Sequence, residues 1–235
     1  MDLKIKDVAD LLKVSEKTIR KWISDRKIPN YRMNQHYYFS RSEIENWIIS
    51  HKFDKTEEKV FLSSSPFSQS VGGSKQFSLF RAIHKGDVFY KLKGKTKEEI
   101  IRAAMKKVAP LIDVDAEVMI DLLLDRENLM PTALNNGIAV PHTRDTLLST
   151  HYDVVIPVFL QEPLDYGALD GKPVHTLFFL FACEDKRHLD LLAKIAHLSS
   201  QSDALTFFQT KPTKEDLLGF IKEWESRMPV AKQPD

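Results

Sequence analysis

Only one cysteine, Cys183, occurs in the 235 residues, so no disulfide can form within the chain. It ends the apolar run TLFFLFAC (176–183), where a buried, inert thiol is expected. A lone thiol also fits a reducing cytoplasm. No segment approaches the ~20 consecutive apolar residues needed to cross a bilayer. The opening stretch MDLKIKDVADLLKV carries charges throughout and lacks the apolar core of a signal peptide. The chain therefore reads as soluble and cytoplasmic. P-loop, G-x-S-x-G and dinucleotide fingerprints are missing, which leaves P-loop nucleotide hydrolysis, α/β-hydrolase chemistry and Rossmann-type redox chemistry without a motif. No tight spacing of His, Cys or acidic ligands is found, so neither a metal nor a cofactor is expected. There is no internal repeat.

The formal net charge is only +1, yet the charge is unevenly placed. Residues 1–51 hold ten Lys/Arg against seven Asp/Glu, and residues 14–41 alone hold seven against two. A small basic head on a near-neutral body suggests that only the head meets a polyanion. The composition changes again at residues 52–76, where SSSPFSQSVGGS reads as a linker. The expected organisation is a head at 1–51, a linker at 52–76, a main domain at 77–228 and a frayed tail at 229–235.

In the head, Ile5, Val8, Leu11 and Leu12 line one face of a first helix. Ser15 is a good N-cap for a second helix, whose inner face is Ile19, Trp22 and Ile23. Lys17, Thr18, Arg20 and Lys21 form its outer face. Residues 31–39 read as a hairpin turning near Asn34, and Ser40 with Glu43 caps a third helix bearing Ile44, Trp47 and Ile48. This order resembles the excisionase and MerR-type winged helix-turn-helix family. The resemblance implies that the second helix enters the major groove of DNA. Arg20 and Lys21 would then make contacts there, with Lys17, Thr18, Asn34 and His36 as further candidates. Cations in that position neutralise phosphates and release counterions, while short polar groups reach base edges. Tight specific binding by so small a module would need a homodimer reading two half-sites.

The main domain alternates element types. DVFYKL (87–92) and GIAV (137–140) are β-prone, and DVVIPVFL (153–160) and VHTLFFLFA (174–182) are continuous apolar runs of the kind found in strands buried on both faces. Helical patterns follow Thr96, which with Glu99 forms a capping box, and cover residues 117–124, 189–199 and 214–227. Helices interleaved with buried strands predict a layered α/β domain.

Of eight histidines, only His142 sits in a context that suggests chemistry: it follows a β-prone segment and Pro141, behind a polar loop able to offer backbone N–H groups to an anion. His175 lies in a predicted buried strand and reads as a core residue; His151, His197, His84 and His51 read as surface or structural. RENLMPTALNNGIAVPH (126–142) closely resembles the pattern R-E-x-x-G-S-T-G-I-G-N-G-I-A-I-P-H of enzyme IIA in the fructose, mannitol and nitrogen-regulatory branch of the bacterial phosphotransferase system. EDKRHLDLLAKIAHL (184–198) and KTKEEIIRAAM (95–105) resemble the same family, and the resemblance implies a layered α/β fold with a mixed sheet flanked by helices.

That resemblance implies that His142 accepts a phosphoryl group from a histidine phosphocarrier protein, that His188 orients it and that Arg126 compensates negative charge. The regulatory-looking head points to the nitrogen-regulatory type. A sugar-specific enzyme IIA passing phosphate to an enzyme IIB, or a DNA-binding regulator whose main domain no longer transfers phosphate, are the alternatives. Family glycines are replaced by Met130, Ala133 and Asn135, and the serine by Pro131; Asn135 is expected to preserve a turn by tolerating positive φ. The relay requires two things of the fold: the imidazoles of His142 and His188 must lie together, and His142 must be reachable by a protein donor.

Overall fold

A computed structural model describes residues 2–12, 14–33, 36–50, 77–143 and 152–228. The head comprises β1 (Asp2–Lys4), α1 (Ile5–Leu12), α2 (Glu16–Ser24), β2 (Tyr31–Met33), β3 (His36–Ser40) and α3 (Arg41–Ser50). The Ser15 side chain accepts the Thr18 N–H at 3.1 Å and so starts α2 as expected. The three strands form an antiparallel sheet in the order β1-β3-β2. β1 was not anticipated; at three residues it is too short to show a period, and its pairing of Leu3 with Phe39 is a tertiary event. Val8, Leu12, Ile19, Phe39, Ile44 and Ile48 are fully buried and give the head a core of its own. Trp47 closes it by donating its indole N–H to the Lys27 carbonyl at 2.7 Å. The expected linker and tail, and Asn34, lie outside the described residues.

The main domain runs α4 (Ser78–Lys85), β4 (Phe89–Leu92), α5 (Lys97–Ile112), α6 (Ala116–Leu129), β5 (Ile138–Ala139), β6 (Val154–Leu164), β7 (Val174–Phe181), α7 (Asp185–Leu198), α8 (Ser202–Gln209) and α9 (Lys214–Arg227). Its sheet is mixed, in the order β4-β6-β7-β5. β6 and β7 are antiparallel, and each has a parallel neighbour on its outer side. Successive residues of β6 and β7 face opposite layers. Val155, Phe159, Phe178 and Leu180 join a core with α4, α7, α8 and α9. Val154, Ile156, Leu177 and Phe179 join a second with α5 and α6. Burial on both faces is why the two strands read as unbroken apolar runs.

α4 and α8 were not anticipated. The N-terminus of α4 is held from a distance: the buried Glu225 carboxylate of α9 accepts the amides of Leu79 and Phe80 at 3.1 and 2.9 Å and pairs with buried Lys194 at 2.7 Å. α6 continues beyond Leu124 to Leu129, because the polar pair Arg126 and Glu127 is itself buried. Cys183, expected to be buried, is half-buried just past β7, where its thiol meets Asp153 Oδ1 at 3.4 Å. Its position at the strand end, beside a carboxylate that also accepts its amide, is what leaves it partly open.

The head does not stand apart from the main domain. α1 and α3 both pack on α7, and the buried residues of the head and of the α7 layer form one continuous cluster. Arg41 pairs with Asp185 at 2.9 Å, and Lys186 reaches Asp7 at 3.7 Å, at the rim.

Candidate functional site

The two halves of the sequence-derived site behave differently. On α2, Lys17, Arg20 and Lys21 are exposed, and His36 is exposed at the start of β3. Arg20 lies 3.9 Å from Glu16 on the same helix. Thr18 is half-buried, and its hydroxyl shares a 2.9 Å hydrogen bond with Ser15. Thr18 therefore serves the helix cap in this structure, and the basic residues form the free face.

The second half converges on His142. Pro141 and His142 run beside the end of β7, where the Leu180 amide donates to the Pro141 carbonyl at 3.0 Å. His142 Nδ1–H donates to the Val140 carbonyl at 2.6 Å, so in a neutral ring the lone pair is on Nε2. His188, in the first turn of α7, sets its ring edge-on to that of His142 with 5.0 Å between centroids. Arg126, near the end of α6, turns its guanidinium to the same spot and is anchored by donating Nη1–H to the Met130 carbonyl at 2.9 Å. The three residues expected to act together are together.

A fourth group occupies the centre. Glu45 of α3, from the head, places Oε1 2.8 Å from His142 Nε2 and 3.1 Å from Arg126 Nε. Its Oε2 lies 3.6 Å from His188 Nε2, beyond a hydrogen bond. The next residue, Asn46, accepts Arg126 Nη2–H at 3.2 Å. His142 is 0% exposed, Arg126 2%, His188 3% and Glu45 4%. The expectation that His142 is reachable does not hold while the head is docked.

Burial pushes the Glu45 carboxyl up, but the hydrogen bond and charge of His142, helped by Arg126, outweigh it and hold the group at about 2. Burial first, then the charge of His142, push His188 down to about 3, and its ring is neutral. The Val140 carbonyl oxygen faces Nδ1 of His142 and the Glu45 carboxylate faces Nε2, so both ring nitrogens are engaged while the head is docked.

The loop before His142 is built differently from its expected form. The left-handed residues are Asn136 (φ 65°) and Gly137 (φ 79°), and Asn135 is not among them. Ala133 forms an antiparallel bridge to Ala139 in a tight hairpin, where an alanine fits without strain. The Leu134 amide donates to Ile138 and the Val140 amide to Thr132, at 2.8 and 3.0 Å, while the Asn136 amide donates to Asp170 Oδ2 at 2.7 Å. These three amides are used inside the fold and are not turned toward His142. Glu127 secures the loop: its carboxylate accepts the Thr132 amide at 3.1 Å and is also hydrogen-bonded by the Thr132 hydroxyl and by Tyr166.

Glu45, His142 and His188 bring ligand atoms within 4.8 Å of one another, which supplies the third ligand that sequence spacing could not show. Arg126, 3.1 Å from the same carboxylate oxygen, disfavours a divalent cation there. A guanidinium and an imidazole converging on one oxygen suit an anion.

Residues 81–224 match the family described as phosphoenolpyruvate-dependent sugar phosphotransferase system, EIIA 2, and residues 3–52 match a helix-turn-helix domain. The chain belongs to the EIIA 2 family. A nitrogen regulatory protein of Pseudomonas aeruginosa is 34% identical over 131 residues, which cover 54% of this chain and 84% of that protein. One from Bradyrhizobium diazoefficiens is 32% identical over 114 residues, 48% of this chain and 73% of that protein. Among solved structures, the nitrogen regulatory protein IIA-Ntr of Neisseria meningitidis superposes with a TM-score of 0.54 at 23% identity, over 61% of this chain and 98% of that one, and so shares the fold. The EIIA-type domain with its mixed sheet and the N-terminal helix-turn-helix agree with the reading from sequence.

Proposed function

We propose that this EIIA protein is a cytoplasmic phosphocarrier of the nitrogen-regulatory type, accepting a phosphoryl group on His142 Nε2 from the phosphohistidine of a histidine phosphocarrier protein, with a DNA-binding regulatory output through α2. The observation that carries the reading is the arrangement around Nε2: a ring fixed through Nδ1, with His188 and Arg126 converging where an anionic oxygen already sits. In the transfer, the Nε2 lone pair attacks phosphorus, and the bond from phosphorus to the donor's ring nitrogen breaks and leaves its electron pair on the donor. Such a reaction needs positioning and charge compensation for three equatorial oxygens and little further covalent machinery. Arg126 supplies a fixed positive charge, and neutral His188 supplies an orienting ring.

One observation favours the second reading, a regulator whose EIIA domain no longer transfers phosphate: His142 is sealed beneath α3. Incubation with phosphoenolpyruvate, enzyme I and the histidine phosphocarrier protein, followed by mass mapping of acid-labile phosphate, decides between them. Label on His142 in the wild type, lost in His142→Ala, supports the phosphocarrier. Equal label in the two proteins ends the His142 assignment, and no label in either favours the regulator.

A further inference from the structure

We infer that the pocket of His142, His188 and Arg126 has two alternative occupants, the Glu45 carboxylate of the head and the phosphoryl group on His142, so that head docking and phosphorylation exclude each other. This inference rests on the phosphocarrier reading.

The first argument is steric. Glu45 Oε1 stands 2.8 Å from the nitrogen that would carry phosphorus. A phosphorus atom bound to Nε2, with three oxygens around it, fills the same volume. The second argument is electrostatic. A phosphoryl group carries about −1.5 to −2 charge at neutral pH. Glu45 is an ionised carboxylate in a site walled off from water, where like charges at contact distance repel strongly. The cations that now hold Glu45 would transfer to the phosphoryl oxygens: Arg126 through its Nε–H, and through the Nη2–H now given to Asn46. The third argument is access. A fully buried His142 cannot meet a donor protein, so α3 must leave before transfer, and the phosphoryl group then bars its return.

The rest of the interface permits such a release. Among the described residues, ion pairs across its rim include Arg41 with Asp185 and the long, exposed pair of Lys186 with Asp7. The head keeps its own buried core around Val8, Ile19, Phe39 and Ile48 and so has the means to stay folded when free. Lys17, Arg20 and Lys21 are exposed while the head is docked. The device therefore controls how the head is attached to the EIIA domain, and it does not act by covering the basic face of α2.

The test uses the full chain in four forms: wild type, Glu45→Gln, Arg41→Ala and His142→Ala. Glu45→Gln keeps the shape and removes the charge. Arg41→Ala removes the rim pair with Asp185 and leaves His142, Arg126 and Glu45 in place, although it also withdraws one charge that acts on His188, and the thermal unfolding of each variant shows whether it is folded. Two quantities are read: the initial rate of phosphorylation by the phosphorylated carrier, and hydrogen exchange of the α3 amides, 41–50, before and after phosphorylation. Both loosening variants are expected to accept phosphate at least tenfold faster than wild type. Exchange in α3 is expected to rise at least tenfold on phosphorylation of wild type, with no change in His142→Ala. Label on His142 at equal rates in wild type and both variants, with α3 exchange unaltered, overturns the inference and leaves the phosphocarrier reading standing. No label in any form, Glu45→Gln included, overturns both.

Discussion

Glu45 and His142 are ninety-seven residues apart in sequence and 2.8 Å apart in space, and the contact joins the two halves of the chain at the one imidazole the EIIA motif singles out. A carboxylate buried against a guanidinium and an imidazole costs desolvation, and what the site gains in return depends on keeping all partners in place. The arrangement is one in which adding a single anion to His142 is felt by the whole head.

Arg126 is expected to matter for both occupants of the pocket. Arg126→Ala should slow phosphorylation of His142 by about 10²-fold, the scale for loss of one preorganised charge-compensating donor. It should also lower the stability of the docked protein by about 3 kcal/mol, since Glu45 then keeps a buried charge with one partner fewer. Arg126→Lys restores the charge but not the fork that reaches Glu45 and Asn46, and is expected to recover only part of either effect. Initial transfer rates and urea midpoints, read side by side, check both.

Acid should weaken the fold well above the range where carboxylates titrate. His188 is held at about 3 and His197 at about 4, against 6.5 when unfolded, in each case first by burial. Below pH 6.5 the unfolded chain binds protons that the folded chain refuses, so stability rises with pH from about 4 to 6.5 and is complete above it. Each ring is expected to account for about 2 kcal/mol lost between pH 7 and pH 5. Glu45 acts lower: its folded value of about 2 gives stability present above 4.5 and lost as pH falls through 2. Urea unfolding at pH 7 and pH 5 tests the histidines, and His197→Leu should remove its share of the difference.

Gly137 and Gly171 both have positive φ, at 79° and 68°, but only one is crowded. A Cβ on Gly137 would stand 2.6 Å from His175 Cδ2 and 3.0 Å from the Pro173 carbonyl, whereas nothing lies within 4 Å of one on Gly171. Gly171→Ala should cost about 1 kcal/mol, the price of a left-handed alanine. Gly137→Ala should cost clearly more and should also slow phosphorylation, because Gly137 closes the hairpin that carries His142. Equal denaturant midpoints for the two variants would refute the role given to crowding.

The parts of this site that were legible in sequence are those written locally. Pro141-His142, the Arg126-Glu127 pair and the first turn of α7 each belong to a short motif, and β6 and β7 declare their double burial as unbroken apolar runs. Glu45 was not legible. It reads as one more acidic residue of a capped surface helix, and nothing local says that a carboxylate will be buried by a partner domain. A weak signal did exist: Ile49, four residues on and so on the same side of α3 as Glu45, is buried but lies outside the stripe of Ile44, Trp47 and Ile48 that the head's own core requires. A helix with two apolar sides has two neighbours. The left-handed residue was misplaced by one position for a related reason: Asn135 and Asn136 are chemically alike, and only the fold, which binds Asn136 to Asp170 and to the Ser199 carbonyl, selects between them.

DNA binding by the head is expected to follow the exposed face of α2 and to be electrostatic in large part. Lys17, Arg20 and Lys21 present their charges to solvent on one helix, whereas Thr18 is tied to the cap. If each of the three neutralises one phosphate, replacing it by alanine should reduce the slope of log binding constant against log salt by about 0.9. Thr18→Ala should leave that slope unchanged and instead lower helix stability by about 0.5–1 kcal/mol, through loss of one side-chain hydrogen bond to Ser15. Titrations of mixed duplex DNA at several salt concentrations measure the slopes. A slope of zero for the wild type removes DNA as the partner of this face, and equal slopes for wild type and all three lysine and arginine variants move the contact elsewhere on the head.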